Sequence, residues 1–257
     1  MLKDNRGVQK NIIRVEEDHR TEISDLVARE KELSIFVNKK KVISLNCSPG
    51  NYKYLGVGFL LTSGILSGKE EIVSIETKKD SVKIDIKNTI LPISNINHVS
   101  SVVEVQHQFQ KMSEESSTRS DNIKLNPLVV YRMIEKIQEE AIFFKLSGGV
   151  HSCALADKNG KILLFSEDIS RYNTIDRVLG QALLTDIDTS NKILLTSCRI
   201  TSGIIKKIIS TKIQIIISRA AVTDCAIKIA HAHNITLIGF TRGKRMNIYT
   251  HSRRIAS

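Results

Sequence analysis

Hydrophobic and polar positions along the chain alternate with two different periods, which predict where strands and helices lie. Residues 33–38 and 42–47 are apolar strand patterns separated by a turn of three lysines, so a hairpin is expected. An apolar helix is predicted over 54–61, and the alternation within 71–76 and 81–86 is typical of a half-buried antiparallel pair. The first hundred residues therefore form a predicted α+β unit.

The two least apolar stretches of the chain suggest its domain boundaries. Residues 1–30 are charged and weakly periodic, and a short helix or a frayed arm is expected there. A second polar stretch begins near residue 112 and is typical of a loop or linker. We thus predict an N-terminal arm at 1–30, a small α+β domain at 31–111, a polar linker at 112–126 and a second domain at 127–257.

The second half of the chain alternates between strand and helix patterns after a helix that Pro127 opens. Strands are predicted at 150–156, 161–165, 192–196, 214–218 and 236–239, and helices at 174–184, 203–211 and 224–232. This order implies right-handed crossovers and a largely parallel sheet between helical layers. Ligands of such sheets bind beyond the carboxyl ends of the strands.

Charge and hydropathy narrow the function classes. The 257 residues carry a formal charge of +11, and six cations but no acid follow Asp224, which favours an anionic partner. Nucleic-acid binding rests on this charge alone, and with no Trp and few aromatics the chain lacks a stacking platform. No apolar run approaches the ~18 residues of a membrane span, and the polar start lacks the core of a secretory signal. A cytoplasmic protein without a nucleic-acid or membrane partner is expected.

The four cysteines, Cys47, Cys153, Cys198 and Cys225, give no metal or redox signature. None of them stands at CxxC spacing, which excludes a zinc knuckle and a thioredoxin-type pair. Isolated cysteines in a reducing compartment are most often small buried hydrophobes.

Four polar segments fall near the predicted strand ends, and two of them lie early in the second domain. In 147–153, two glycines let the backbone approach a ligand, and His151 could bind an anion or a carbonyl. The alternative is a structural turn followed by a histidine whose hydrogen bonds are made within the protein. In 167–177, Asp168 and Asn173 belong to a mixed-charge cluster that either orients a polar ligand or forms a structural network.

The other two polar segments carry cations. In 196–203, a strand enters a Ser/Thr/Gly turn, where Arg199 and helix-terminal amides could hold a phosphate, although helix capping explains the turn equally well. In 239–249, three cations lie close together after Phe240. Guanidinium groups such as that of Arg242 suit a diphosphate, and the Phe240 ring can flank a planar base. A solvated basic hairpin is the alternative.

These segments, in this order, resemble the formate dehydrogenase accessory sulfurtransferase family, FdhD, over residues 30–255. The matching residues are Gly148, Gly149, Val150, His151, Glu167, Asp168, Arg171, Asn173, Asp176, Gly180, Thr196, Ser197, Arg199, Gly239, Phe240, Arg242, Arg245, Asn247 and Tyr249. The resemblance implies a C-terminal domain of cytidine-deaminase-like, three-layer α/β fold beside a smaller N-terminal α+β domain, in a homodimer.

The family resemblance also implies a function. Members accept sulfur as a persulfide from a cysteine desulfurase and pass it to the molybdenum cofactor in its bis-guanine-dinucleotide form, before that cofactor enters formate dehydrogenase. The residues that would bind the dinucleotide are Phe240, Thr241, Arg242, Gly243, Lys244 and Arg245, with Arg199, His151, Asp168 and Asn173 completing the pocket.

One departure from the family pattern leaves two hypotheses open. The family carries sulfur on a CxxC loop, whereas the corresponding stretch 113–122 contains no cysteine and has Glu115 and Thr118 near those positions. Either Cys198 or Cys153 replaces the missing thiols, or the chain is a non-catalytic chaperone that binds and delivers the cofactor. Zinc-dependent deamination is not expected, and no metal site is predicted, because the His-x-Glu and Pro-Cys-x-x-Cys motifs are absent.

Overall fold

A computed structural model describes residues 5–87 and 123–256. The strands are β1 (Gly7–Glu16), β2 (His19–Ala28), β3 (Lys31–Val37), β4 (Lys40–Cys47), β5 (Ile72–Thr77), β6 (Ser81–Ile86), β7 (His151–Ala156), β8 (Ile162–Asp168), β9 (Ile193–Thr196), β10 (Ile215–Ser218), β11 (Thr236–Arg242) and β12 (Arg245–Ile248). The α-helices are α1 (Tyr52–Thr62), α2 (Pro127–Glu140), α3 (Ile142–Ser147), α4 (Arg171–Leu184), α5 (Ser202–Ile209) and α6 (Asp224–Ala232).

The N-terminal strands β1 and β2 form a two-stranded antiparallel ribbon, so the expectation of a short helix or a frayed arm over 1–30 is wrong. Their pairing is continuous from Gly7 opposite Ala28 to Glu16 opposite His19. Two apolar pairs face each other across this ribbon, Val8 with Val27 and Ile12 with Ile23, and several of its apolar side chains remain exposed. Without a buried face, strand alternation leaves a weak sequence signal.

The small sheet has the strand order β4-β3-β6-β5 and carries its own core. The predicted hairpin of β3 with β4 and the predicted antiparallel pair of β5 with β6 are both confirmed. Strands β3 and β6 join these pairs in parallel, with Ile35 opposite Val82. Helix α1 covers the sheet and buries Leu55 and Phe59 in the shared core.

Helix α1 also crosses α4, and two glycines set the distance between the helices. A Cβ atom on Gly58 would lie 1.7 Å from the carbonyl oxygen of Asp176, and one on Gly180 would lie 2.1 Å from that of Tyr54. Only glycine allows two backbones to approach this closely. The expectation that the glycines of the first helix permit close packing is confirmed at Gly58.

The large sheet has the order β12-β11-β10-β9-β7-β8 and is mixed rather than largely parallel. Strands β9, β10 and β11 are parallel, as their helical crossovers require. Strand β7 runs antiparallel to β8 and β9, and β12 runs antiparallel to β11. The tight turns that join β7 to β8 and β11 to β12 impose this reversal, because a short hairpin can join only antiparallel strands.

Helices cover both faces of the large sheet, so the predicted three-layer α/β class is confirmed. Helix α2 covers one face, and α4, α5 and α6 cover the other. Pro127 opens α2 as expected, and the Asn126 side chain accepts a hydrogen bond from the Leu128 amide at 2.8 Å. None of the described helices combines the length and the apolar run that a bilayer crossing needs. The division of the chain into these four segments stays a prediction, and residues 112–122 of the linker lie outside the described part.

Candidate functional site

Strand direction brings all four polar segments to one edge of the large sheet. The parallel strands β9, β10 and β11 end there, and so does β8. Because β7 runs the opposite way, its first residue, His151, lies at this edge opposite Asp168. Ser197 follows β9 and donates its backbone N–H to the Ser152 carbonyl at 3.0 Å. The edge therefore joins residues that are far apart in sequence.

A cleft of about 590 Å³ opens at this edge, between the strand ends and the helices α2 and α3. Its walls include Gln138, Phe144 and Lys145 from the helices and His151, Ser197 and Arg219 from the strand ends. Among the described residues no carboxylate lines it. We call α3 the lip helix, because Phe144 and Lys145 form one rim of the cleft.

Arginines follow the ends of the parallel strands, and one of them was missed in the sequence analysis. Arg219 directly follows β10 and lines the cleft. Arg242 donates a hydrogen bond from its Nε to the backbone carbonyl of Arg219 at 3.2 Å. Both side chains are exposed, as is Arg199 after β9. The rule that ligands bind beyond the carboxyl ends of strands could have found Arg219, because the strand pattern at 214–218 stops just before it.

The predicted dinucleotide segment from Phe240 to Arg245 forms a bulge and a hairpin beside the cleft. Phe240 has a φ of 51°, unusual for an aromatic residue, and it lies where the β11–β12 register shifts. Thr241 is fully buried, whereas Arg242 to Arg245 are exposed, with Gly243 at the predicted turn. No residue of this segment lines the cleft, but Arg242 is hydrogen-bonded to Arg219, which does.

His151 is the one predicted binding residue that lines the cleft. It is half-buried, and burial, followed by the charge of nearby Arg171, lowers the pKa of its imidazole. The ring is therefore neutral near pH 7 and can donate or accept one hydrogen bond at the cleft wall.

Asp168 and Asn173 lie in a buried network rather than in the cleft wall. The Asp168 carboxylate accepts hydrogen bonds from Arg177 Nε at 2.8 Å, from the Ser48 amide at 3.1 Å and from Asn173 at 3.1 Å. Arg177 reaches on to the carbonyl oxygens of Ser48 and Gly50. Burial raises the pKa of Asp168, while Arg177 opposes that shift. The network joins the β4–α1 connection to α4, and a cofactor contact for either residue stays a prediction.

The two thiols that were offered as possible replacements for the CxxC loop are buried. Cys153 is fully buried and Cys198 is 3% exposed, with its Sγ 3.0 Å from Thr196 Oγ1. Burial raises the pKa of both thiols, and it raises the pKa of Cys47 to about 12. Cys225, in the first turn of α6, is exposed. The Cys-free stretch 113–122 lies outside the described residues.

Known proteins match this chain along almost its whole length. A protein of Saccharolobus solfataricus named sulfur carrier protein FdhD is 35% identical over 252 residues, covering 95% of this chain and 96% of that protein. The protein of the same name from Bacillus pumilus is 32% identical over 240 residues, covering 90% and 91%. A Desulfotalea psychrophila crystal structure, described as a candidate formate dehydrogenase accessory protein, shares the fold with a TM-score of 0.81. It is 23% identical and covers 97% of this chain and 99% of that one.

The family comparison agrees with these relatives and with the resemblance that the sequence motifs indicated. Residues 28–256 match the FdhD/NarQ family. The match includes both the small and the large sheet and begins at the last residue of β2, so most of the N-terminal ribbon precedes it. The chain therefore belongs to the FdhD/NarQ family.

Proposed function

We propose that this chain is a formate dehydrogenase accessory protein whose cleft binds the guanine-dinucleotide form of the molybdenum cofactor as cargo. The observation that carries the proposal is the cleft at the carboxyl edge of the large sheet, with cations and an aromatic ring but no described carboxylate in its walls. The names of the relatives support the same role. This role implies two partners, a cysteine desulfurase and a formate dehydrogenase. Homodimer assembly and a cytoplasmic location stay predictions.

The chemistry of the cleft suits a nucleoside diphosphate group. Arg219 and the adjoining Arg242 present guanidinium forks, which bind phosphate oxygens in pairs. Lys145 adds a point charge from the opposite rim, and the half-exposed Phe144 ring offers a face for a planar base. Gly148 leaves the backbone of the cleft wall without a side chain, and no atom lies within 4 Å of the position that its Cβ would take, so a ligand can approach it closely.

Calorimetric titration with GDP tests the binding proposal. An Arg219→Ala, Arg242→Ala double variant should bind GDP at least about tenfold more weakly than wild type, because charge-assisted bonds to phosphate are lost. Arg253→Ala is the matched control, since Arg253 bonds Asn234, near the amino end of β11 and so at the opposite edge of the sheet. Equal affinity of the double variant and the control would refute the assignment.

The proposed function leaves open whether the chain also transfers sulfur. Burial of its thiols favours delivery of the cofactor without sulfur transfer. A thiolate must attack the outer sulfur of a desulfurase persulfide, whose own cysteine then leaves as a thiolate. Cys153 and Cys198 are poorly suited to this step, because they are buried and their pKa values are raised. A persulfide in this chain therefore has one accessible position, Cys225.

Incubation with a cysteine desulfurase and free cysteine, followed by mass spectrometry, separates the two roles. Delivery without sulfur transfer predicts an unchanged protein mass. A gain of one sulfur atom that disappears in a Cys225→Ser variant would establish that the chain carries sulfur despite its Cys-free loop. A gain that persists in that variant would contradict the burial of the other three thiols.

A further inference from the structure

The lip helix is held in place by one carboxylate from another element. Glu167, near the end of β8, accepts a hydrogen bond from the Phe144 amide at 2.9 Å and another from the Phe143 amide at 3.2 Å. Both amides belong to the first turn of α3, where backbone N–H groups have no hydrogen-bond partner within the helix. The residue before the helix, Ala141, offers no side-chain cap. Glu167 thus takes the place of the missing N-cap.

The lip helix has few other means of staying ordered. It has only six residues, and so short a helix is not stable by itself in water. Ile142, Phe144 and Leu146 are each roughly half exposed, which leaves Phe143 as its buried anchor. The carboxylate is therefore a large part of what fixes the rim residues Phe144 and Lys145.

The N-terminal ribbon reinforces the same carboxylate. Arg6, next to the start of β1, donates from a terminal guanidinium nitrogen to Glu167 Oε2 at 3.2 Å, and its guanidinium lies 4.7 Å from the centre of the Phe143 ring. The Glu167 side chain is 2% exposed, so the pair is shielded from solvent on the carboxylate side. Arg6 precedes residues 28–256, which match the family.

We propose that Glu167 is a positioning residue of the cleft, which fixes the lip helix so that Phe144 and Lys145 face the ligand, and that Arg6 ties the N-terminal ribbon to this function. The proposal rests on the proposed function, because it assigns a ligand to the cleft. Glu167 touches backbone amides and Arg6 and does not line the cleft itself.

The sign of a charge effect separates positioning from electrostatics. Removing a negative charge near an anion site strengthens anion binding, so electrostatics alone predict tighter GDP binding in Glu167→Gln. Loss of the helix cap predicts weaker binding, because the Gln side chain keeps one acceptor oxygen and turns an amide donor toward groups that are donors themselves. Glu140 borders the same 300 Å³ crevice as Glu167, is exposed and lies just before the lip helix. Glu140→Gln therefore measures the charge effect alone.

The experiment combines GDP calorimetry with a reporter on the lip helix. The chain contains no Trp, so Leu146→Trp gives a single emitter on the exposed side of this helix. We expect Glu167→Gln to bind GDP roughly tenfold more weakly than wild type, about 1.4 kcal/mol, while Glu140→Gln binds as tightly or slightly more tightly. The Trp anisotropy should fall in the Glu167→Gln background and stay unchanged with Glu140→Gln.

The outcomes distinguish the two proposals. Equal GDP affinity and equal anisotropy in the two Gln variants would overturn the positioning role. If wild type does not bind GDP, the proposed function fails, and the ligand-free anisotropy alone decides whether Glu167 orders the lip helix. If Glu167→Gln does not fold, Arg6→Gln takes its place, because it keeps both amide bonds. Its Trp anisotropy then decides, since loss of the Arg6 charge alone also weakens anion binding. The anisotropy should fall by less than with Glu167→Gln, and a wild-type value would refute the coupling of ribbon and lip.

Discussion

Replacing Lys207 by methionine should strongly destabilise the joint between α1, α4 and α5. The Lys207 ammonium lies 2.8 Å from each carboxylate oxygen of Asp176 and 3.1 Å from Thr62 Oγ1. The two charged side chains are 0% and 1% exposed. Methionine keeps most of the volume of the lysine stem but leaves the carboxylate of Asp176 without its counter-charge.

The expected loss follows from the burial of this pair. Removing one partner of a buried ion pair costs about 3–5 kcal/mol, a large fraction of the roughly 5–15 kcal/mol that stabilises an ordinary domain. Burial already raises the pKa of Asp176, and without Lys207 that rise must be larger. A carboxyl with a raised pKa binds more protons in the folded than in the unfolded state, so its stability contribution is lost as pH rises. The variant should therefore be less destabilised near pH 5 than near pH 7.

Urea unfolding at both pH values measures these effects. The double variant Asp176→Asn, Lys207→Met should recover part of the loss, because no unpaired charge remains buried. A loss below about 1 kcal/mol in Lys207→Met, or a double variant less stable than Lys207→Met alone, would refute the reasoning.

Four further predictions test other parts of the structure. A maleimide should label one cysteine of the native chain, Cys225, and labelling of Cys225→Ser before unfolding would contradict the burial of the other thiols. Gly58→Ala should lower the free energy of unfolding by about 3 kcal/mol or more, because its Cβ would overlap the Asp176 carbonyl oxygen; an unchanged urea midpoint would mean that the helices can separate. Asp168→Asn should cost about 3–5 kcal/mol of stability and leave GDP affinity intact, whereas weaker GDP binding by a folded variant would place Asp168 at the ligand. Wild-type GDP affinity should rise as pH falls from about 7 to about 5.5, because a bound phosphate favours the protonated imidazole; the rise should vanish in His151→Asn, and its persistence there would assign the titration to another group.

The sequence predicted the elements of the large sheet better than their directions. The apolar run at 213–217 could only be a buried strand, and helix-forming segments between strands required crossovers, so β9 to β11 followed. The directions of β7 and β12 depend on tight turns at Gly160 and Gly243, both at positive φ. The sequence signal of such a glycine is the same in a loop and in a hairpin, so the reversal of β7 was missed and the hairpin at Gly243 was only an alternative.

For the candidate site, the sequence identified the edge of the sheet where the cleft opens, but only one of the predicted side chains, His151, lines that cleft. His151 was found because a residue next to a glycine pair at a strand boundary is exposed to ligands. Asp168 was grouped with it because charged residues near a strand end look alike in sequence whether they face a cleft or a buried arginine. The choice between these depended on Arg177, whose partner Ser48 lies 129 residues away along the chain. Contacts over such distances are invisible to local patterns.

The backbone contact between Gly58 and α4 has a kinetic consequence. Helices of the two sheets touch at their main chains, so rotation of one sheet against the other would break this contact and is disfavoured. A ligand of the proposed cleft would instead enter and leave by local displacement of a short segment beside it, which is a faster kind of motion. Association should then be limited by encounter, and a cross-link joining the small and large sheets should leave both rate constants unchanged.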